Sequence, residues 1–148
     1  MSSNSMSPDS KIEWTFAATN AASCDACARA ENWAREAGFP EILVMRLVLV
    51  IEELFTNTIK HGYHAESNCP VQISLRVCDG RAVLDYRDQA PPFDPVHTKK
   101  MRASGRAPTR VGGMGLRLIQ TYGTDASHVH QEGWNIVRLA VGADISPV

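Results

Sequence analysis

Val50-Ile51-Glu52-Glu53-Leu54-Phe55-Thr56-Asn57-Thr58-Ile59-Lys60-His61-Gly62-Tyr63 is the stretch on which the fold turns. Together with the residues before it, Val44, Leu47, Val48, Ile51, Leu54, Phe55, Thr58 and Ile59 make a wide face that predicts a helix from about Glu41 to Gly62. Within this helix Glu53, Asn57 and His61 recur every fourth residue and stack along one stripe, with Lys60 beside Asn57. Buried without partners, such polar groups would each cost about 1–3 kcal/mol. The stripe is therefore either a solvated face or a place where something else meets the helix.

Upstream, Lys11 to Ala18 alternates Ile12, Trp14 and Phe16 against Lys11, Glu13 and Thr15, the period of a half-buried strand. Asn20 then reads as an N-cap, and Ala26, Ala30, Trp33 and Ala37 mark a first helix that Gly38 and Pro40 stop. Downstream, Val71–Cys78 and Arg81–Arg87 alternate as strands around Asp79-Gly80, a strong hairpin signal, and Val83, Leu84 and Tyr86 read as buried. Asp88 to Val111 carries Pro91, Pro92, Pro95 and Pro108, several basic residues and little apolar pattern; it is longer than a compact domain normally leaves without structure. A helix from about Gly113 to Tyr122 and two strands, Ser127–Gln131 and Asn135–Val141, around Glu132-Gly133 complete the pattern. Antiparallel strands beside a helical layer predict an α+β fold, a two-layer sandwich.

Composition narrows the classes. A chain of 148 residues fits one domain, read as 11–148 behind a frayed Ser- and Asn-rich tail over 1–10 with no signal-peptide core. A net charge of −1 gives no basic footprint for direct nucleic-acid binding, and no segment has the roughly 18 apolar residues of a membrane span. A cytoplasmic location is expected. Cys24 and Cys27 have the spacing of a metal or redox pair, but they sit in an alanine-rich helical pattern with no thioredoxin-like strand before it, so reduced thiols are expected for them and for Cys69 and Cys78. His64, His97, His128 and His130 show no ligand spacing, and surface or turn positions suffice for them.

Two further features bear on chemistry. Asp88-Gln89-Ala90-Pro91-Pro92-Phe93-Asp94-Pro95 follows an apolar strand; an acidic side chain there either forms the turn or accepts a hydrogen bond from the exocyclic amine of adenine. Gly112-Gly113-Met114-Gly115-Leu116 opens a helix, where backbone amides and the helix terminus favour a phosphate. No strand precedes these glycines directly and no Lys-Ser/Thr follows them, which excludes the Rossmann fingerprint and the P-loop.

Taken in order, the segment Val50–Tyr63 resembles the asparagine box of the anti-sigma-factor serine/threonine kinases of the GHKL superfamily (gyrase, Hsp90, histidine kinase, MutL). Asp88–Pro95 resembles that family's adenine box and Gly113–Leu116 its second glycine box. The resemblance implies a Bergerat-type ATP-binding fold with a mixed, mostly antiparallel sheet. It implies ATP and Mg2+ as cofactors, Asn57 as the Mg2+ ligand and Glu53 as the catalytic base. Asp88 would hold adenine, with His61, Phe93, Arg110, Gly113, Met114, Gly115 and Leu116 around the nucleotide. The segment from Phe93 to Val111 would be an ATP lid, with Lys99, Lys100, Arg102, Arg106 and Arg110 available to neutralise phosphate charge. Ala90 departs from the family's usual Gly, and its methyl group either crowds the purine or merely stiffens the turn.

By this resemblance the chain is expected to phosphorylate a serine or threonine on a small anti-sigma-factor antagonist, alternately to sequester a sigma factor, and to be able to form a homodimer. Two alternatives stand beside it: an ATP-gated regulatory binder without transfer, and a detached histidine-kinase ATPase domain. The last lacks a preceding helical hairpin offering a phosphoacceptor histidine.

Overall fold

The computed structural model describes residues 11–96, 119 and 121–143. Strand β1 (Lys11–Ala18) keeps the alternation read from the sequence, with Phe16 and Ala18 buried. Helix α1 (Asn20–Glu36) starts one residue earlier in role than expected, because Thr19 and not Asn20 is the N-cap. Thr19 is extended and its hydroxyl accepts the Ala22 N–H at 3.0 Å, while the Asn20 N–H donates to Glu66 Oε1 at 2.8 Å. Ala26, Ala30, Trp33 and Ala34 form its buried face.

Helix α2 (Glu41–Asn57) buries Leu43, Leu47, Val50, Ile51 and Leu54 almost completely, and each such side chain contributes about 1.5–3 kcal/mol by leaving water. Phe55 fastens it to the sheet, meeting Phe16 edge-on at 6.1 Å and Tyr86 at 6.0 Å. The expected continuous helix to Gly62 is interrupted. Residues Thr58–Gly62 form a π-helical turn, closed by the Tyr63 N–H on the Thr58 carbonyl at 2.8 Å. This turn lets buried Thr58 face the sheet while His61 is exposed.

Strands β2 (Ser67–Cys78), β3 (Arg81–Asp88), β4 (Gly123–Gln131) and β5 (Trp134–Val141) complete a five-stranded sheet in the order β1-β2-β3-β5-β4, and all its described ladders are antiparallel. Strands β2 and β4 begin earlier than the sequence pattern indicated, and both hairpins form as expected. Asp79 and Gly80 (φ 52° and 74°), then Glu132 and Gly133 (φ 54° and 88°), adopt the left-handed conformations that two-residue turns require. Val83 is not in the core as expected. Strand periodicity sends Ala82, Leu84, Tyr86 and Asp88 inward and leaves Val83 partly exposed on the outer face. The core thus lies between the sheet's inner face and the two helices, and the same parity that buries Tyr86 carries Asp88 inward. Of the expected helix Gly113–Tyr122, Ile119, Thr121 and Tyr122 are helical; the rest lies outside the described residues.

No helix among the described residues is long and apolar enough to cross a membrane. The four cysteines are free. Burial above all, then the negative charge of Glu52, pushes the Cys27 thiol up to about 12, and it points at the Val48 carbonyl at 3.8 Å. A thiol so far from ionising is a poor nucleophile or metal ligand.

Candidate functional site

Asp88 ends β3 with its carboxylate buried, and only neutral donors among the described residues meet it. Oδ1 accepts from the Ala90 N–H at 3.1 Å and from Asn135 Nδ2 at 2.9 Å. Oδ2 accepts from the Thr58 hydroxyl at 2.7 Å. Thr58 has then used its one hydrogen, so the phenol of Tyr86, 2.7 Å from Thr58 Oγ1, must donate to it. Burial keeps that phenol protonated by pushing its pKa well up, against the opposing pull of Thr58. The turn expected of Asp88 from the sequence is formed. Oδ1 forms the turn, whereas Oδ2 retains a lone-pair direction that no described residue uses.

The loop after Asp88 is held from three directions. The Gln89 N–H donates to the Tyr63 hydroxyl at 2.7 Å, and that hydroxyl donates to the Pro70 carbonyl at 3.0 Å. Asn135, opposite Asp88 across the β3–β5 ladder, reaches the Ala90 and Pro91 carbonyls through Nδ2, both at 3.0 Å. Its Oδ1 accepts the Phe93 N–H at 3.1 Å and contacts His128 Nε2 at 2.9 Å. The Phe93 ring in turn stacks on His61, with centroids 5.7 Å apart and planes inclined by 24°.

A small cleft lies between these groups, walled by Asn57 and Thr58, by Asp88, Asn135 and Val137 on the sheet, and by Phe93 and Pro95 on the loop. Asn57 is buried, and its Nδ2 has no hydrogen-bond partner among the described residues. One helical turn earlier, Glu53 is half-buried; burial first and the Glu52 charge second raise its pKa, while Lys60 pulls the other way. Larger hollows open on the outer face of the sheet around Asp85. Asp85 is already paired there with Arg87 at 2.7 Å and Arg138 at 2.6 Å, whereas the smaller inner pocket holds the acceptor and amide with capacity to spare.

The sequence of residues 16–141 matches the family described as the histidine kinase-like ATPase domain. The chain belongs to that family. Relatives of this histidine kinase-like ATPase include the serine-protein kinases RsbW of Listeria innocua serovar 6a and of Listeria monocytogenes serotype 4a. Each is 26% identical over 110 residues, a match covering 70% of this chain and 69% of the relative. In three dimensions it is similar to the crystal structure of the RsbU and RsbW domains of Rv1364c from Mycobacterium tuberculosis. The TM-score is 0.63 at 19% identity, over 92% of this chain; the chain spans 33% of the length of that solved protein. The two-layer α+β architecture expected from the sequence is thus the one this ATPase has.

Of the site residues read from the sequence of this histidine kinase-like ATPase, Asn57, Asp88 and Phe93 line one pocket. His61 joins them through its stack on Phe93, and Glu53 sits one turn from Asn57. Arg110, Gly113, Met114, Gly115 and Leu116 lie outside the described residues, as do Lys99, Lys100, Arg102, Arg106 and His97. Ala90 is buried and does not line the pocket. A β-carbon built on Gly62 would lie 2.9 Å from the Ala90 β-carbon, so that methyl packs on Gly62. Thr58, Asn135 and His128 were missed. His128 in particular was assigned to a surface or turn, yet only a tenth of its side chain is exposed and it reaches the site through Asn135. The available signal was parity: Asn135, Val137 and Leu139 alternate inward, and a polar side chain at the first of these positions must find partners inside.

Proposed function

We propose that this chain is an ATP-dependent serine/threonine protein kinase that also acts as an anti-sigma factor, phosphorylating a small antagonist protein. The observation that carries the reading is the buried amide of Asn57, whose Nδ2 has no partner among the described residues, one turn from a carboxyl of raised pKa and lining the same pocket as Asp88. A buried polar group without a partner costs about 1–3 kcal/mol unless a ligand supplies one. Turning the Asn57 amide exchanges its nitrogen and oxygen, so the same side chain can offer Oδ1 to a hard cation such as Mg2+. The residues present fit a nucleotide with its metal.

Asp88 would receive the adenine amine on Oδ2, because a carboxylate surrounded by donors can only accept, and its geometry is set by Thr58, Ala90 and Asn135. When bound, ATP supplies the phosphoryl group and Mg2+ neutralises charge on it. Glu53 would take the proton of the attacking hydroxyl on its carboxylate; its raised pKa makes it a stronger base than an exposed glutamate. The Phe93–His61 stack would cover the pocket mouth and limit water. The relatives named serine-protein kinase support the phosphoacceptor class. Partner switching with a sigma factor, a homodimer and a cytoplasmic setting belong to the same proposal.

The test is transfer of label from radiolabelled ATP, with Mg2+, to the small antagonist-like proteins encoded beside this chain's gene. Label on a serine or threonine, lost in Glu53→Gln while nucleotide affinity survives, is the expected result. If the wild type transfers none while ATP still controls its grip on a sigma factor, the chain is an ATP-gated binder.

A further inference from the structure

We propose that His128 is a positioning residue for the purine end of this site, acting through Asn135; the inference rests on the nucleotide-binding reading above. The argument begins with the orientation of the Asn135 amide. One end faces three acceptors, Asp88 Oδ1 at 2.9 Å and the Ala90 and Pro91 carbonyls at 3.0 Å, while the other faces the Phe93 N–H at 3.1 Å. A turned amide would set its oxygen against three oxygens and its NH2 against an N–H. The orientation is therefore fixed, and the end toward His128 is a carbonyl oxygen.

That oxygen lies 2.9 Å from His128 Nε2, so the ring must carry a proton on Nε2 and donate it. His128 thus supplies the second donor to Asn135 Oδ1, beside the Phe93 N–H. With both in place the amide cannot swing away from the Asp88 carboxylate or from the turn carbonyls it bridges. The opposite ring nitrogen, Nδ1, lies 3.9 Å from Asp94 Oδ2 in the same loop, an ion-pair distance when the ring carries both protons. A chain of contacts thereby runs from β4 through Asn135 to Oδ1 of the carboxylate whose other oxygen would meet the purine amine, and on to the backbone that carries Phe93. Asn135 lies 47 residues from Asp88 and 42 from Phe93.

The test compares wild type, His128→Leu and His128→Gln, since the Gln amide nitrogen can stand where Nε2 stands and donate the same hydrogen bond. Affinity for ADP, read by calorimetry, should fall roughly 3- to 12-fold in His128→Leu, the value of one lost hydrogen bond, and stay within about twofold in His128→Gln. Two measurements need no nucleotide. Nitrogen NMR of the wild-type imidazole should show the proton on Nε2, and hydrogen exchange of the Phe93 amide should speed up in His128→Leu but not in His128→Gln. A packing role alone would not be rescued by glutamine. An Nδ1–H tautomer, or equal ADP affinity and equal Phe93 protection in all three proteins, overturns the assignment. A wild type that fails to bind ADP sinks the nucleotide reading instead, and the tautomer and exchange results then decide the His128–Asn135 brace by themselves.

Discussion

Gly62→Ala should damage the protein through a single new contact, and Ala90→Gly should repair it. The added β-carbon would stand 2.9 Å from the Ala90 β-carbon, well inside ordinary van der Waals distance, and 3.9 Å from Asp88 Oδ2. Neither side can move away cheaply. Gly62 ends the π-helical turn, closed by the Tyr63-to-Thr58 hydrogen bond, while Ala90 is held by Asp88 on its amide and Asn135 on its carbonyl. Overpacking of this kind costs about 1–3 kcal/mol, roughly 3 °C of melting temperature per kcal/mol in a chain of this size. Ala90→Gly alone should cost about 1 kcal/mol, from a lost methyl group and a freer unfolded chain. In Gly62→Ala/Ala90→Gly the methyl merely changes sides, so the double variant should be more stable than the sum of the single losses by about 1–2 kcal/mol. Urea denaturation of the four proteins measures the cycle. Additive losses would show that the two β-carbons do not meet, and the packing of Ala90 on Gly62 would be wrong.

Three other outcomes are expected. Asp88→Ala should weaken ATP binding by roughly 5- to 150-fold, the effect of about 1–3 kcal/mol, and unchanged calorimetric affinity in a folded variant would remove Asp88 from the purine site. Glu53→Gln should slow phosphoryl transfer by about 10²–10⁴-fold. It should also stabilise the fold near neutral pH. A carboxyl whose folded pKa is raised costs stability once pH exceeds its unfolded value, so the gain should vanish as pH falls below the ordinary carboxylate range; a gain that instead grows in acid contradicts the burial argument. Tyr86→Phe should cost about 0.5–1.5 kcal/mol of stability by leaving Thr58 Oγ1 without its donor, and Thr58→Val in the same background about 1.5–3 kcal/mol more, because buried Asp88 Oδ2 then loses its hydroxyl donor; equal unfolding curves for the single and double variants would contradict this.

The sequence by itself determined most of the elements and singled out polar residues that share one pocket. Strand alternation, turn residues and an amphipathic helix are local signals, each read within about ten residues, and they placed β1, β3, β5, the start of α2 and both hairpin turns near their observed positions. Asn57 and Asp88 could be singled out, since polar residues set into apolar segments are legible without coordinates. Local reading failed where two neighbours compete for one task, as with Thr19 and Asn20 at the cap, or where a helix changes its winding at Thr58. The tertiary structure alone decided which distant groups converge. Asp88 meets Thr58 across 30 residues of chain and Asn135 across 47, and Ala90 finds Gly62 only because β3 and the π-helical turn are brought against each other. The physical reason is that a buried carboxylate must be satisfied by whatever donors the packed core presents, and a linear pattern records which residues point inward but not which of them meet.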